Sequence, residues 1–386
     1  MRVLRLLAWT FITAGLVIAG LAVAGYWLYR DAEGTGPLAS VTTVVIPPHS
    51  GITAISTLLG EQGVVRRPLE FEAMARLSGR GGELKAGEYE FPAGASTMQA
   101  LEILASGKTV KHRLTIPEGL TSADILNLVR NAPALDGDTG PTPQNGELLP
   151  ETYVYSYGDT RRELIDRMRH AMTRTLAQLW AERRTDLPLT EPRDAVTLAS
   201  IVEKETAREE ERSHVAGVYI NRLRLGMRLQ ADPTVLFAVS GEGSAKPDHP
   251  LTHADLAIAS PYNTYVNKGL PPGPITNPSK ASLRAAVHPE RTDDLYFVAD
   301  GGGGHIFAKT LGDQSRNIAQ YRRMTAAEGD GTPIIAEPEA PPPQAASPIP
   351  AALPGPPPPP PPRPAPQQQA SRIRHCRAEP GHACPH

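Results

Sequence analysis

The sequence predicts an α+β protein in four parts: a single N-terminal transmembrane helix, a small α+β module, a larger mixed α+β domain, and a disordered proline-rich tail. Three observations predict this. Residues Leu6–Tyr29 form an uncharged, mostly apolar run of 24 residues, enough to cross a hydrocarbon core that needs about 20. A strand-to-helix pattern recurs about 70 residues apart, at Val44–Leu59 and Leu114–Leu128. Of the 40 prolines, 19 lie from Pro333 onward, seven of them consecutive at Pro356–Pro362.

Arg2 and Arg5 precede the apolar run, and Arg30, Asp31 and Glu33 follow it. The short cationic end therefore stays in the cytoplasm and the rest of the chain is exported. Trp9 at one end and Tyr26, Trp27 and Tyr29 at the other suit the two membrane interfaces. Ala22-Val23-Ala24 resembles a signal-peptide cleavage site, but the apolar run continues past it and favours a retained anchor. The expected parts are a cytoplasmic end (1–5), the anchor (6–29), a Gly/Pro-containing linker (30–40), the small module (41–110), the larger domain (111–328) and the tail (329–386).

In both strand-to-helix units an apolar strand stops at a proline (Pro47, Pro117), and after a turn a helix begins with apolar residues at i, i+3 and i+4. Within the small module, Leu84–Phe91 alternates like a strand, and Thr97–Leu104 reads as a helix stopped by Gly107. In the larger domain helical periodicity covers Arg161–Arg184, Asp194–Thr206 and Glu209–Leu225. Pro192 and Asp194 mark the start of the second of these, and Gly226 the end of the third. Beyond Pro233 the sequence reads as loops, then a strand at Leu295–Val298 and a turn at Gly301–Gly304. The tail reads as polyproline II, a spacer or docking segment outside the fold.

A formal charge of -2 and 5% aromatic residues leave neither a basic stripe nor stacking platforms, so nucleic acid is excluded as a partner. Both cysteines, Cys376 and Cys384, lie in the tail, so disulfides do not organise the fold. His249 and His253 have a zinc-helix spacing with Asp248 beside them, but Pro250 intervenes and no third ligand has a defined spacing. No metal and no cofactor are expected.

Three segments are richer in polar and conformationally special residues than a core requires. They are ASIVEKET (199–206), NRLRLGMRLQADPTV (221–235), and YNTY (262–265) with GLPPGPI (269–275). A carboxyl on the buried side of a helix has its ionised form disfavoured, so it moves toward the range of a general acid. Glu203 follows Val196, Ala199 and Ser200 on one face, and Glu205 follows Leu198 and Ile201 on another. Periodicity does not choose between them.

Together these segments resemble the YceG/MltG-like family of endolytic murein transglycosylases, over roughly residues 1–325. The resemblance implies that the small module is LysM-like and that 111–328 is a catalytic domain. It also implies a peptidoglycan lytic transglycosylase that cuts the MurNAc–GlcNAc bond within glycan strands without water. That reaction leaves 1,6-anhydroMurNAc ends and would terminate nascent strands. Glycan strands, the inner membrane and peptidoglycan synthases follow as partners. The resemblance places the acid/base at Glu203, expected to be kept protonated by apolar surroundings. Asn221, Gln230 and Asn263 would bond sugar amides and hydroxyls; Tyr262 and Tyr265, with Thr264 between Asn263 and Tyr265, would lie against sugar rings. Gly269, Leu270, Pro271, Pro272 and Gly273 would form a cleft wall. Asp232 is the candidate for a second carboxylate, with a turn or helix start as its alternative role. Arg222, Arg224 and Arg228 read more readily as solvated helix arginines than as contacts to stem peptides. Members of the family often carry His-Asn where this chain has Gln314-Ser315, so that histidine has no role here, and His305 remains as a residue for the cleft. Two other readings stay open at this level, a hydrolytic muramidase and a non-catalytic peptidoglycan-binding scaffold.

Overall fold

A computed structural model of the chain describes residues 2–241, 249, 251–328 and 337–342. Asp248, the tail cysteines and the polyproline run lie outside the described residues. Among the described residues helices dominate, and the strands form three separate two-stranded antiparallel sheets.

Helix α1 (Arg2–Glu33) contains the apolar run, and Trp9–Glu33 is long and apolar enough to span a membrane. Its large side chains, including Trp9, Phe11, Leu16, Leu21 and Trp27, are exposed, as expected of a surface that lipid would cover. The helix does not stop at Tyr29. It runs through Arg30–Glu33, which the sequence assigned to the linker, because no glycine or proline follows Tyr29 until Gly34. Ala32 is fully buried, Leu28 packs on the small module's core, and Arg67 pairs with Asp31 at 2.6 Å. The end of this helix is thereby built into the module.

That module contains β1 (Thr42–Ile46), α2 (Ile52–Glu61), α3 (Pro68–Leu77), β2 (Gly87–Phe91) and α4 (Thr97–Ser106). Strands β1 and β2 pair from Thr42↔Phe91 to Ile46↔Gly87, burying Val44, Ile46, Tyr89 and Phe91 on the face that meets the helices. The sequence reading missed α3, whose one clear signal is Pro68 in its first turn. Helix α4 starts with a reciprocal cap between Ser96 and Gln99, and Gly107 ends it at φ 65°.

The larger region opens with β3 (His112–Thr115), α5 (Ser122–Asn131), β4 (Thr152–Tyr155) and α6 (Arg161–Ala181). Strand β3 pairs with β4 around a second core formed by Ile125, Leu126, Val129, Leu148, Leu164 and Met168. Helix α7 (Pro192–Glu205) follows, then a short 3-10 turn at Glu209–Glu211 and α8 (Arg212–Arg224). Every residue of α7 from Ala195 to Val202 is buried, which makes it the central helix of the largest core. The segment beyond Pro233 is less irregular than the sequence indicated. It carries α9 (Asp232–Val239), α10 (His253–Leu256) and α11 (Lys280–Val287) before β5 (Tyr296–Ala299), β6 (His305–Ala308) and α12 (Leu311–Glu328). Helix α9 is only 8 residues long and mostly apolar, so it shows no one-sided stripe to detect.

The glycine turn joins β5 to β6. Gly301 and Gly303 sit at φ 81° and 83°, and the Asp300 carboxylate accepts the amides of Gly302 and Gly304 at 2.6 and 2.9 Å. Those bonds hold the Asp300 carboxyl below its usual range. A Cβ on Gly304 would come within 2.6 Å of Glu211 Oε1, so a larger residue there would require the Glu211 and Arg208 side chains to shift.

Candidate active site

The ASIVEKET run forms the last turns of α7. Two helical residues are separated by about 200°, so Glu203 and Glu205 leave the helix on nearly opposite sides. The structure gives these sides different surroundings.

Glu203 points into a polar, closed junction. Its Oε2 accepts the backbone N–H (2.8 Å) and hydroxyl (2.6 Å) of Ser279, the N-cap residue of α11. Its Oε1 accepts from Arg212 at 3.3 Å, and Arg212 also pairs with Glu118 at 3.1 Å. The Glu203 side chain is 4% exposed, and it is not among the residues that line the cavity described next. The surroundings of Glu203 are thus polar where apolar ones were expected. A guanidinium, a hydroxyl and a helix N-terminus occupy its oxygens, and it staples α7 to α11, to α8 and to the segment before α5.

Glu205 lines a cavity of about 250 Å³ together with Arg222, Gln230, Asp232, Tyr265 and Phe297. Residues of β6 and α12 also line it: His305, Gln314, Ile318 and Tyr321. The hydroxyl of Tyr219, one of the largest fully buried side chains, donates to Glu205 Oε1 at 2.5 Å. Burial raises the Glu205 carboxyl to about 8, with the Asp232 charge adding to the rise and the Tyr219 bond and Arg222 opposing it. Asp232, at the first turn of α9, accepts from Tyr265 Oη at 2.6 Å. Asp232 is exposed as a residue, but protein atoms crowd its carboxyl and that desolvation raises it too, against the Tyr265 bond. Tyr265 is pushed up by its own burial and then by Asp232. The cavity thus holds two carboxyl groups, each bonded to one tyrosine.

The arginines divide. Arg222 is buried, donating to the carbonyls of Leu295 (2.6 Å) and Leu229 (2.8 Å) with its guanidinium over the Tyr296 ring; it is not a solvated helix arginine. Arg224 binds Asp186 at 3.1 Å. Gln230 sits at φ 50°, uncommon for a residue other than glycine, and presents its amide at the cavity edge.

Other residues singled out in the sequence serve as scaffold. Asn221 donates to the carbonyls of Thr292 and Asp294 at 2.8 and 3.1 Å, fixing the entry to β5. Asn263 is fully buried; its amide donates to the Leu256 and Ile258 carbonyls and accepts from Tyr265 N–H. These amides are committed to backbone and are not offered to a sugar. Thr264 Oγ1 accepts from Ala231 N–H at 2.9 Å and meets Thr234 Oγ1 at 2.9 Å. Tyr262 packs edge-on to Phe237 at 4.9 Å in the main core. Gly269, Leu270, Pro271, Pro272 and Gly273 are not among the cavity-lining residues. Their loop leads to Ile275, whose N–H bonds Ser200 Oγ at 3.0 Å behind α7, and on to Ser279. It builds the Glu203 junction, not a wall of the cavity.

The sequence reading missed Tyr219, Phe297, Ile318 and Tyr321 as site residues. For Tyr219 a signal exists: it lies three residues before Arg222 on α8, on the same face. His305 does line the cavity, but its Nδ1 is engaged by Glu211 at 2.7 Å. Gln314 donates to the Phe297 carbonyl at 2.9 Å.

Comparison with known proteins yields one consistent result. A model of the YceG-like family matches residues 44–320. The endolytic murein transglycosylase of Bacillus subtilis (strain 168) is 29% identical over 337 residues, covering 79% of this chain and 91% of that protein. The endolytic murein transglycosylase of Streptococcus pneumoniae (strain D39) is 30% identical over 361 residues, covering 81% of this chain and 65% of that protein. A crystal structure of a yceG-like protein from Listeria monocytogenes aligns with 33% identity and a TM-score of 0.48, covering 72% of this chain and 98% of that one.

Proposed function

Because the chain belongs to the YceG-like family, we propose that it is an endolytic peptidoglycan lytic transglycosylase whose acid/base is Glu205. One observation carries the reading: in the ASIVEKET run, Glu205 is the glutamate that lines a cavity, with its carboxyl raised to about 8. It is then protonated at neutral pH, as a general acid must be.

The chemistry follows from that state. Protonated Glu205 gives its proton to the glycosidic oxygen as the bond to C1 of MurNAc breaks. The carboxylate left behind is held by the Tyr219 hydroxyl. It then takes the proton from the sugar's own C6 hydroxyl as that oxygen bonds to C1, which closes the 1,6-anhydro ring and restores the acid. No water enters, and the nucleophile is already tethered to the reacting sugar. Asp232, oriented by Tyr265, supplies negative charge near the positive charge that develops at the ring. Gln230 offers the amide for N-acetyl or hydroxyl groups at the cavity edge.

The anchor fits a single-pass protein of the inner membrane with its N-terminus in the cytoplasm and the rest in the periplasm. There it would act on strands beside the synthases that make them, and cutting a nascent strand ends its growth. The small module, read as LysM-like, would hold the glycan.

Asp232 favours one competing reading, since two carboxyl groups in one cavity are also the equipment of a hydrolase. Product chemistry separates the two. Purified sacculi incubated with the chain should yield muropeptides with anhydro ends that borohydride does not reduce. Reducible ends would identify a muramidase, and binding without release of soluble fragments a scaffold.

A further inference from the structure

Residues Glu337–Pro342, at the start of the segment read from sequence as a spacer outside the fold, lie against the rim of the cavity. Gln230 grips them with both ends of its amide: Nε2 donates to the Glu337 carbonyl (3.3 Å), and Oε1 accepts the Glu339 N–H (3.1 Å). The Glu339 carbonyl accepts from Tyr296 Oη at 2.7 Å. Its carboxylate accepts from Arg228 N–H at 2.8 Å and faces the Arg228 guanidinium at 3.6 Å. Between these anchor points Pro338 forms part of the lining of the same cavity as Glu205 and Asp232.

These contacts have a recognisable logic. Three of them read backbone groups of an extended chain, and the other two read one carboxylate. The bridging amide belongs to Gln230, whose backbone is held at positive φ with its N–H on the Thr264 carbonyl at 3.2 Å. Pro338, Pro341 and Pro342 restrict the bound segment to extended conformations, so little chain entropy is lost on docking. The Gln230 amide is the polar group at the cavity edge that a sugar would use, and here peptide occupies both its donor and its acceptor.

We propose that Arg228, Gln230 and Tyr296 form a binding strip for an extended, acidic, proline-containing peptide. Its occupant is the chain's own Glu337–Glu339 segment, which covers the cavity and competes with glycan for it. The binding strip stands on the contacts alone; the competition rests on the reading of the cavity as the catalytic cleft. Because the segment is tethered, it acts at a high effective concentration, and the same peptide added from solution must displace it.

The test uses the full chain in detergent, a fluorescent peptide of residues 336–342, and purified sacculi. Glu339→Lys sets like charges against Arg228 and releases the strap. That variant should bind the wild-type peptide about tenfold more tightly than the unaltered chain and release soluble glycan fragments several-fold faster. Restoring opposite charges with Arg228→Glu in the same chain should return both values toward the original. Equal peptide binding by the two chains, or binding by neither, overturns the strip. Different peptide binding with equal rates of fragment release overturns the competition. Different peptide binding with no fragments from any chain leaves the strip standing and removes the catalytic reading instead.

Discussion

The two sides of the last turn of α7 carry the same residue type, two positions apart, in different surroundings. On the Glu203 side the carboxylate meets Ser279, Arg212 and, through the arginine, Glu118, and it does not line the cavity that Glu205 lines. On the Glu205 side one tyrosine hydroxyl bonds the carboxyl, and the remaining space is a cavity with a second acidic group. A glutamate whose oxygens are filled by a guanidinium, a hydroxyl and a helix N-terminus contributes to folding. A glutamate with burial uncompensated by a cation bonded to it keeps its proton and can give it away. The difference lies in what other segments bring to each face.

The sharpest way to break this comparison is to neutralise each glutamate in turn. Glu205→Gln keeps shape and, near neutral pH, keeps the neutral state of the group, so the melting temperature should hold. Release of fragments from sacculi should fall by about 10³-fold, the weight of a general acid. Glu203→Gln should do the reverse. It removes the charge that pairs with a largely buried Arg212 and should cost about 2–4 kcal/mol in denaturant unfolding, while the folded fraction stays active. If Glu203→Gln abolishes activity at unchanged stability and Glu205→Gln does not, the assignment reverses.

Much of the scaffold was legible in the sequence. The apolar run, the β1 and β2 strands, α4 with its glycine stop and the start of α7 at Pro192 all announce themselves through local chemistry. The segments that build the site were also legible, because ASIVEKET and NRLRLGMRLQADPTV stand out in composition. What stayed hidden was long-range. Nothing local to Glu203 reveals that Ser279, 76 residues later, will place an N–H and a hydroxyl on its carboxylate. Asn221 and Asn263 look like ligand-binding amides until the carbonyls of Thr292, Leu256 and Ile258 are seen to occupy them. Helix α12, polar and without a clear apolar stripe, gave no hint that Ile318 and Tyr321 would complete the cavity. The fate of Glu337–Pro342 was equally out of reach, since proline and glutamate read as spacer until Gln230 and Arg228 are found against them.

A smaller but more diagnostic effect separates the two faces by pH. The Glu205 carboxyl is raised from its ordinary value of 4.5 to about 8, so the native state retains a proton that the unfolded chain has released. The associated stability is complete below the ordinary value and is lost as pH rises through about 8. It is on the order of 3–5 kcal/mol if the whole difference is expressed. Unfolding by denaturant should therefore show stability falling between about pH 5 and pH 9, and Glu205→Gln should flatten that slope. Turnover should fall by about tenfold for each pH unit above about 8, as the acid form disappears. A profile flat to pH 10 would mean that the proton donor is not this carboxyl.

The smallest effect tests whether Tyr219 tunes Glu205 or only fills space. Its ring lies edge-on to Phe297 at 5.7 Å, and Tyr219→Phe preserves that packing while removing the hydroxyl on Glu205 Oε1. A hydrogen bond donated to a carboxylate favours the ionised form, so its loss should raise the Glu205 carboxyl further. The alkaline limb of the activity profile should then move upward by about half to one pH unit. Turnover at neutral pH should drop only a few-fold, because the carboxylate formed after proton delivery loses about 1–2 kcal/mol of support. A purely structural tyrosine would lower activity and melting temperature together and leave the limb where it was. A limb that moved downward would mean that the hydroxyl favours the protonated acid, and the sign of the coupling between the two residues would have to be reversed.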